Sequence, residues 1–230
     1  KNPVVTMVKP NAIVRLRFIN GASGTNFWIH LGKLTGTAIA FDGNNIKPFK
    51  QNVFQLAIGQ RIDVLVKIPS TGGVFPILGQ VEGLKNQTGL ILSTSRKNNY
   101  LVKEIAKKTA MALNYNQELL MHSVHPLNQK PIAQVVMINL TGNMKKYVWM
   151  INGQAWPHIT PITLKEGERV AFIFNNKSNM AHPMHFHGHD FELMSINNKA
   201  IHDGPMHDTI LVLPHTQIKV IFDATYSGKW

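Results

Sequence analysis

Short apolar runs closed by Gly, Asn, Asp or Pro turns recur along the whole chain, and this rhythm leaves little but β-structure open to it. Val4-Val5-Thr6-Met7-Val8 runs into a Lys9-Pro10-Asn11-Ala12 turn. Ile13-Val14-Arg15-Leu16-Arg17-Phe18-Ile19 then alternates apolar with basic residues, as a strand buried on one side does. Phe27 to Leu31, Thr37 to Phe41, Phe54 to Ile58, Ile62 to Ile68, Val74 to Leu78 and Gly89 to Ser93 continue the series, with Asp42-Gly43-Asn44-Asn45 as a strong turn. A second series holds Gln134 to Leu140, Tyr147 to Ile151, Ile162 to Leu164, Arg169 to Phe174, Glu192 to Ile196, Thr209 to Leu213 and Gln217 to Phe222. No helical period competes in either series, so the expected class is all-β, built as two sandwiches.

Residues 96–131 break the rhythm. Arg96-Lys97-Asn98-Asn99 is polar, Leu101 to Leu113 has the spacing of one short amphipathic helix, and Asn114 to Pro131 reads as an extended linker. The expected division is therefore a domain over 1–95, a connection over 96–131 and a second domain over 132–230. The two domains read as copies. A shift of 156 residues lays Ile13 to Asn20 on Arg169 to Asn176, and the same shift (218 − 62) lays Ile62 to Ile68 on Ile218 to Ala224.

Composition narrows the chemistry. The 230 residues include 44% hydrophobic side chains, enough for packed cores, and no run approaches the ~18–20 apolar residues of a membrane span. Lys and Arg exceed Asp and Glu by 12, but the basic residues (Lys97, Lys103, Lys107, Lys108, Lys145, Lys146) are scattered and no nucleic-acid motif accompanies them. A solvated cationic surface is expected, not a nucleic-acid groove. Cysteine is absent, so the sequence holds no disulfide and no thiolate metal site.

Chemistry concentrates in Asn179-Met180-Ala181-His182-Pro183-Met184-His185-Phe186-His187-Gly188-His189-Asp190-Phe191, four histidines within eight residues among apolar neighbours. Histidine in such a setting is either a satisfied core residue or a metal ligand, since neutral imidazole suits Cu, Zn, Fe and Ni. On a strand His185 and His187 share a face, whereas His182, three residues earlier, points the other way. One segment can thus serve two separate metal centres.

His-Pro-Met-His-Phe-His-Gly-His-Asp-Phe resembles the His-Pro-x-His-x-His-Gly-His motif of the last domain of multicopper oxidases such as laccases and bacterial copper oxidases. The resemblance implies two cupredoxin-like Greek-key β-sandwiches and copper as cofactor, with His182 on type 1 copper, His185 on type 2 and His187 on one ion of the type 3 pair. The first half resembles the copper-free middle domain of three-domain oxidases through Arg15 to Asn20, Asp42-Gly43 and Gly59 to Val66, which makes His30 structural. The family's His-Cys-His strand follows a Gly-x-Trp like Gly228-Lys229-Trp230, so the type 1 cysteine and the remaining ligands of the last domain are expected just beyond. A further N-terminal cupredoxin domain is expected to supply the other trinuclear-cluster histidines. The implied activity is laccase-like. A small-molecule or metal-ion donor gives up single electrons at type 1 copper and oxygen is reduced to water, in the periplasm or outside the cell, while these 230 residues alone would be inactive.

Other residues are weaker candidates. His189 is expected to pack or to support a ligand, Asp208 to pack rather than to orient a histidine, His202 and His207 to lie in exposed loops, and Met180, Met184, Met194 and Met206 to fill core. Asn152-Gly153 is a scaffold turn, and His122 and His125 have no evident partner. Two rivals stand: a copper-binding or scaffold cupredoxin protein without oxidase activity, and a cupin-like single-metal enzyme using His185, His187 and Glu192.

Overall fold

The alternation in Ile13–Ile19 becomes, in the computed structural model, a strand with Leu16 buried and Arg15 and Arg17 exposed. Residues 3–96, 100–143, 145 and 147–229 are described, so Lys97 and Lys146 of the basic set, Asn98, Asn99 and both terminal residues lie outside them. The chain forms two compact units, 1–120 and 121–230.

The first unit contains β1 (Val4–Met7), β2 (Ile13–Ile19), β3 (Phe27–His30), β4 (Gly36–Phe41), β5 (Asn44–Gln51), β6 (Val53–Leu56), β7 (Arg61–Lys67), β8 (Val74–Val81) and β9 (Gln87–Ser93). They build a five-stranded sheet in the order β1-β9-β8-β3-β6 and a four-stranded sheet β2-β7-β4-β5. Ile29, Phe54, Leu56, Phe75, Ile77 and Ile91 from one sheet and Leu16, Ala38, Ile46, Ile62, Val64 and Val66 from the other are buried, which is the inward half of each alternating pattern.

The second unit contains β10 (Gln134–Asn143), β11 (Val148–Ile151), β12 (Arg169–Asn176), β13 (His182–His185), β14 (Phe191–Ile196), β15 (Lys199–Ala200), β16 (Met206–His207), β17 (Thr209–Val212) and β18 (Gln217–Asp223). Its main sheet runs β11-β10-β12-β18-β14-β15, with β16 also on β14, and β13 pairs with β17 in a separate ladder. Asn152 and Gly153 take positive φ after β11, and Asn152 donates to the Met137 carbonyl of β10, the scaffold role expected of this turn.

The duplication is visible strand by strand. β2 and β7 lie 156 residues before β12 and β18, and β6 lies 156 before β17. Between them the offset slips by one. Gly36–Phe41 precedes Phe191–Ile196 by 155 (191 − 36), down to a bulge after Ala38 in one and after Leu193 in the other. Phe27–His30 likewise precedes His182–His185 by 155. The single shift seen in the sequence therefore holds at both ends and fails in the middle, where two one-residue changes compensate.

Two expectations are corrected. Leu101 to Leu113 is not helical; among the described residues the one helical turn is a 3₁₀ turn at Glu118–Leu120. The segment instead lies along the β8–β9 hairpin, where Gln87 N–H donates to the Glu104 carbonyl (2.8 Å) and Ala106 N–H to the Lys85 carbonyl (2.7 Å). Trp28 Nε1–H donates to the Met111 carbonyl at 2.8 Å. Those tertiary partners replace the internal bonds of a helix too short to persist alone. Ile162 to Leu164 is not a strand, and β5, β15 and β16 were not legible, being too short or too polar to show a period. Ala106→Pro is expected to remove the bond to Lys85, lower stability by about 1 kcal/mol and leave helical circular dichroism unchanged.

Candidate metal centre

Phe186 organises the histidine segment. Its ring meets those of Phe172 (5.3 Å between centroids), Phe191 (4.8 Å) and Phe222 (5.0 Å), and its backbone N–H donates to the Asp208 carbonyl. With Phe186 driven inward by that aromatic cluster, its neighbours His185 and His187 turn outward by the alternation of an extended chain. Their rings stand 5.1 Å apart, edge to face. β13 ends at His185, so His187 joins its partner from the residues beyond the strand.

His185 is held from behind. Its Nδ1 lies 2.9 Å from the Asp208 carbonyl and 3.0 Å from Thr209 Oγ1, and Thr209 Oγ1 donates to Asp208 Oδ1 at 2.7 Å. Both neighbours come from the residue pair entering β17, which register sets opposite His185. Nδ1 bonded to a carbonyl must carry the hydrogen, so the Nε2 lone pair points outward, as a metal requires. Asp208 thus orients His185, the alternative to the packing role that the sequence favours.

His182 occupies the other face of β13, as the three-residue spacing predicts. Its Nε2 lies 2.7 Å from Ser178 Oγ, and its ring meets Trp149 edge-on at 5.0 Å. Gly142 makes room for that indole, because a Cβ at this position would run into the Trp149 ring. Burial holds the His182 pKa below the ordinary value, which keeps the imidazole neutral and its lone pair available.

The remaining residues sort by their partners. His189 accepts from Thr225 N–H at Nε2 and meets the rings of Phe222 edge-on and Tyr226 at a tilt, so it packs. His207 is fully buried on β16 opposite Phe191, not in an exposed loop, because β16 closes onto β14. His202 is exposed, and its carbonyl lies 3.0 Å from His122 Nδ1, the partner that the sequence did not reveal. His30 packs in β3 with Nε2 buried and burial lowering its pKa. Met206 is buried in the core. Glu192 does not join His185 and His187; it is buried and accepts from Leu127 N–H at 2.7 Å, with burial raising its pKa. Ser178, Thr209, Trp149 and Phe186 were missed, since only tertiary pairing distinguishes them from ordinary strand and turn residues.

Imidazole nitrogens fit copper, a borderline ion that takes nitrogen ligands readily. Among the described residues no three His, Cys, Asp or Glu side chains converge on one ion, so each histidine is part of a donor set at most. Two Greek-key sandwiches and this strand of imidazoles define a cupredoxin-type copper protein. Residues 1–100 and residues 129–230 each match the multicopper oxidase family. The chain belongs to that family, whose members are oxidoreductases with copper as cofactor.

Multicopper oxidase MmcO of Mycobacterium tuberculosis is 29% identical over 233 residues, covering 96% of this chain and 43% of that protein. A copper resistance protein A homolog of Pseudomonas syringae pv. tomato is 24% identical, covering 79% of this chain and 45% of its own. The chain thus spans less than half the length of these relatives. In fold, Fet3p, a multicopper oxidase that functions in iron import, superposes with a TM-score of 0.81 at 16% identity over 98% of this chain and 53% of its own. The laccase from Botrytis aclada gives 0.78 at 19% over 96% and 48%. Among the described residues no helix is long and apolar enough to cross a membrane.

Proposed function

We propose that this chain is the middle domain (1–95), connection (96–131) and part of the last cupredoxin domain (132–230) of a three-domain multicopper oxidase. In this reading His182 binds type 1 copper, His185 binds type 2 copper and His187 binds one ion of the type 3 pair. The observation that supports it is the arrangement around Phe186: two outward imidazoles 5.1 Å apart on one face of the chain and a third, half-buried imidazole on the other. A single-metal site has no use for that division; an oxidase with separate electron-entry and oxygen-reducing centres does.

The bound coppers would supply stepwise electron uptake from a small-molecule or metal-ion donor and reduction of oxygen to water. This chain's part is to hold ligands in place. Asp208 and Thr209 fix His185, the Phe186 cluster aims His185 and His187 together, and Trp149 shields His182. The rest of the donor set needs a strand beside β13. In the first unit β3, the counterpart of β13, is flanked by both β6 and β8, whereas among the described residues β13 pairs with β17 only. A cysteine-bearing strand at the position corresponding to β8 would complete type 1 copper, and a separate N-terminal cupredoxin domain would complete the trinuclear cluster. Without them these 230 residues are inactive. The parent oxidase works in the periplasm or outside the cell, by analogy with relatives named for copper resistance.

Copper titration of the intact oxidase tests the reading. An intense blue colour with several coppers bound per chain is expected. One colourless copper would replace it with a cupin-like site, and no binding would leave a scaffold.

A further inference from the structure

The turn between β12 and β13 is stapled by Asn176, whose Nδ2 donates to the carbonyls of Met180 (2.6 Å), Val212 (2.9 Å) and Leu213 (3.0 Å). Three carbonyl partners fix the amide's orientation, so Oδ1 faces Ser178 and can only accept. It takes the Ser178 N–H at 2.9 Å and lies 2.8 Å from Ser178 Oγ. The serine has one hydroxyl hydrogen, and two acceptors that cannot donate, Asn176 Oδ1 and the Met180 carbonyl (3.2 Å), both claim it. Oγ also accepts from Met180 N–H at 3.2 Å, and His182 Nε2 lies 2.7 Å away. With the hydroxyl hydrogen directed to Asn176 Oδ1, the second lone pair of Oγ is left to accept and Nε2 is the donor.

We propose that Ser178 is a positioning residue that fixes His182 as the Nε2–H tautomer and so presents Nδ1 as its metal-binding atom. The meaning for copper rests on the reading of His182 as a ligand; the tautomer itself does not. The duplicated unit supplies an internal control. Asn20 makes the same staple, donating to the carbonyls of Thr25 and Leu56 and accepting from Ala22 N–H at 3.1 Å. Ala22 stands where Ser178 stands, and Phe27, the first residue of β3, stands where His182 stands. The turn therefore forms without a hydroxyl, and the hydroxyl occurs in the unit that has an imidazole to hold.

The test is nitrogen-detected NMR of the isotopically labelled chain at alkaline pH, where imidazoles are neutral. Wild type and Ser178→Thr are expected to show His182 as the Nε2–H tautomer with a slowly exchanging ring proton. In Ser178→Ala the tautomer ratio falls by about fivefold, the factor one lost hydrogen bond carries, and the ring proton exchanges freely, while Ala22 predicts an unchanged fold and melting temperature. A wild-type Nδ1–H tautomer, or an alanine variant whose ratio and ring-proton exchange match wild type, overturns the proposal. Neither readout needs copper, so failure of the ligand assignment would appear separately, as a blue band that survives loss of the His182 imidazole.

Discussion

His182→Ala in the copper-loaded intact oxidase is expected to abolish the intense blue absorption while leaving the coppers held through His185 and His187 bound. The expectation follows from the two faces of β13. His182 sits half-buried against Trp149 and Ser178, whereas His185 is held by Asp208 and Thr209 with 46% of its side chain exposed. Blue copper needs two imidazoles and a thiolate in a near-trigonal plane, so removing one of three strong ligands destroys the chromophore. His185→Ala should do the reverse, keeping the blue band and stopping oxygen reduction. Changing a supporting partner has a smaller effect, on the order of 10–100-fold in metal affinity. Absorption spectra and copper counts on the two variants decide it; a blue band that persists in His182→Ala refutes the assignment.

The largest effect on folding is expected at Arg169. This side chain is 2% exposed and gives two hydrogen bonds to Asp223 (Nε to Oδ1 at 2.8 Å, an Nη to Oδ2 at 2.9 Å) and two more to Asn128. It joins the first residue of β12 to the last of β18 and ties the preceding segment to both. Breaking such a pair from one side costs ~3–5 kcal/mol, because the partner charge stays without compensation. Asp223 is 24% exposed and keeps the Lys130 ammonium at 3.3 Å, so Arg169→Met is expected near the low end, about 3 kcal/mol. Adding Asp223→Leu should recover part of the loss, since an apolar pair leaves no stranded carboxylate.

The same pair also makes the stability of the second unit depend on pH. The bond to Arg169, helped by Lys130, holds the Asp223 pKa below its ordinary value, so the folded state prefers the ionised carboxylate. That contribution is complete above the unfolded aspartate pKa of about 3.9. It fades as pH falls through the lower folded value. Acid denaturation of Arg169→Met should therefore be shallower across this window than that of wild type. Equal slopes would show that Asp223 does not carry it.

Much of this was legible in the chain itself, for a physical reason. Strands such as Ile13–Ile19 and Arg61–Lys67 bury alternate residues, and alternation is written in the sequence. The opposite facing of His182 and His185 follows from the same period. What was not legible depends on partners far away in the chain. Leu101 to Leu113 has helical spacing but finds its hydrogen bonds on the β8–β9 hairpin, and His207 looks like a loop residue until β16 closes on β14. Asp208 and Ser178 acquire their roles only when register brings β17 beside β13 and the Asn176 staple folds the turn back. The offset of 156, correct at both ends, concealed that β3 and β13 are related by 155, which sets His30 at the position of His185.

That slip of one residue bears on engineering. Grafting imidazoles onto the first sandwich at Phe27 and Gly32 would reproduce the spelling of the ligand segment but not its geography, because His30 has its Nε2 shut inside while the equivalent edge of His185 looks out. A designer would first have to open a window over His30, at the expense of the packing that keeps the sandwich intact.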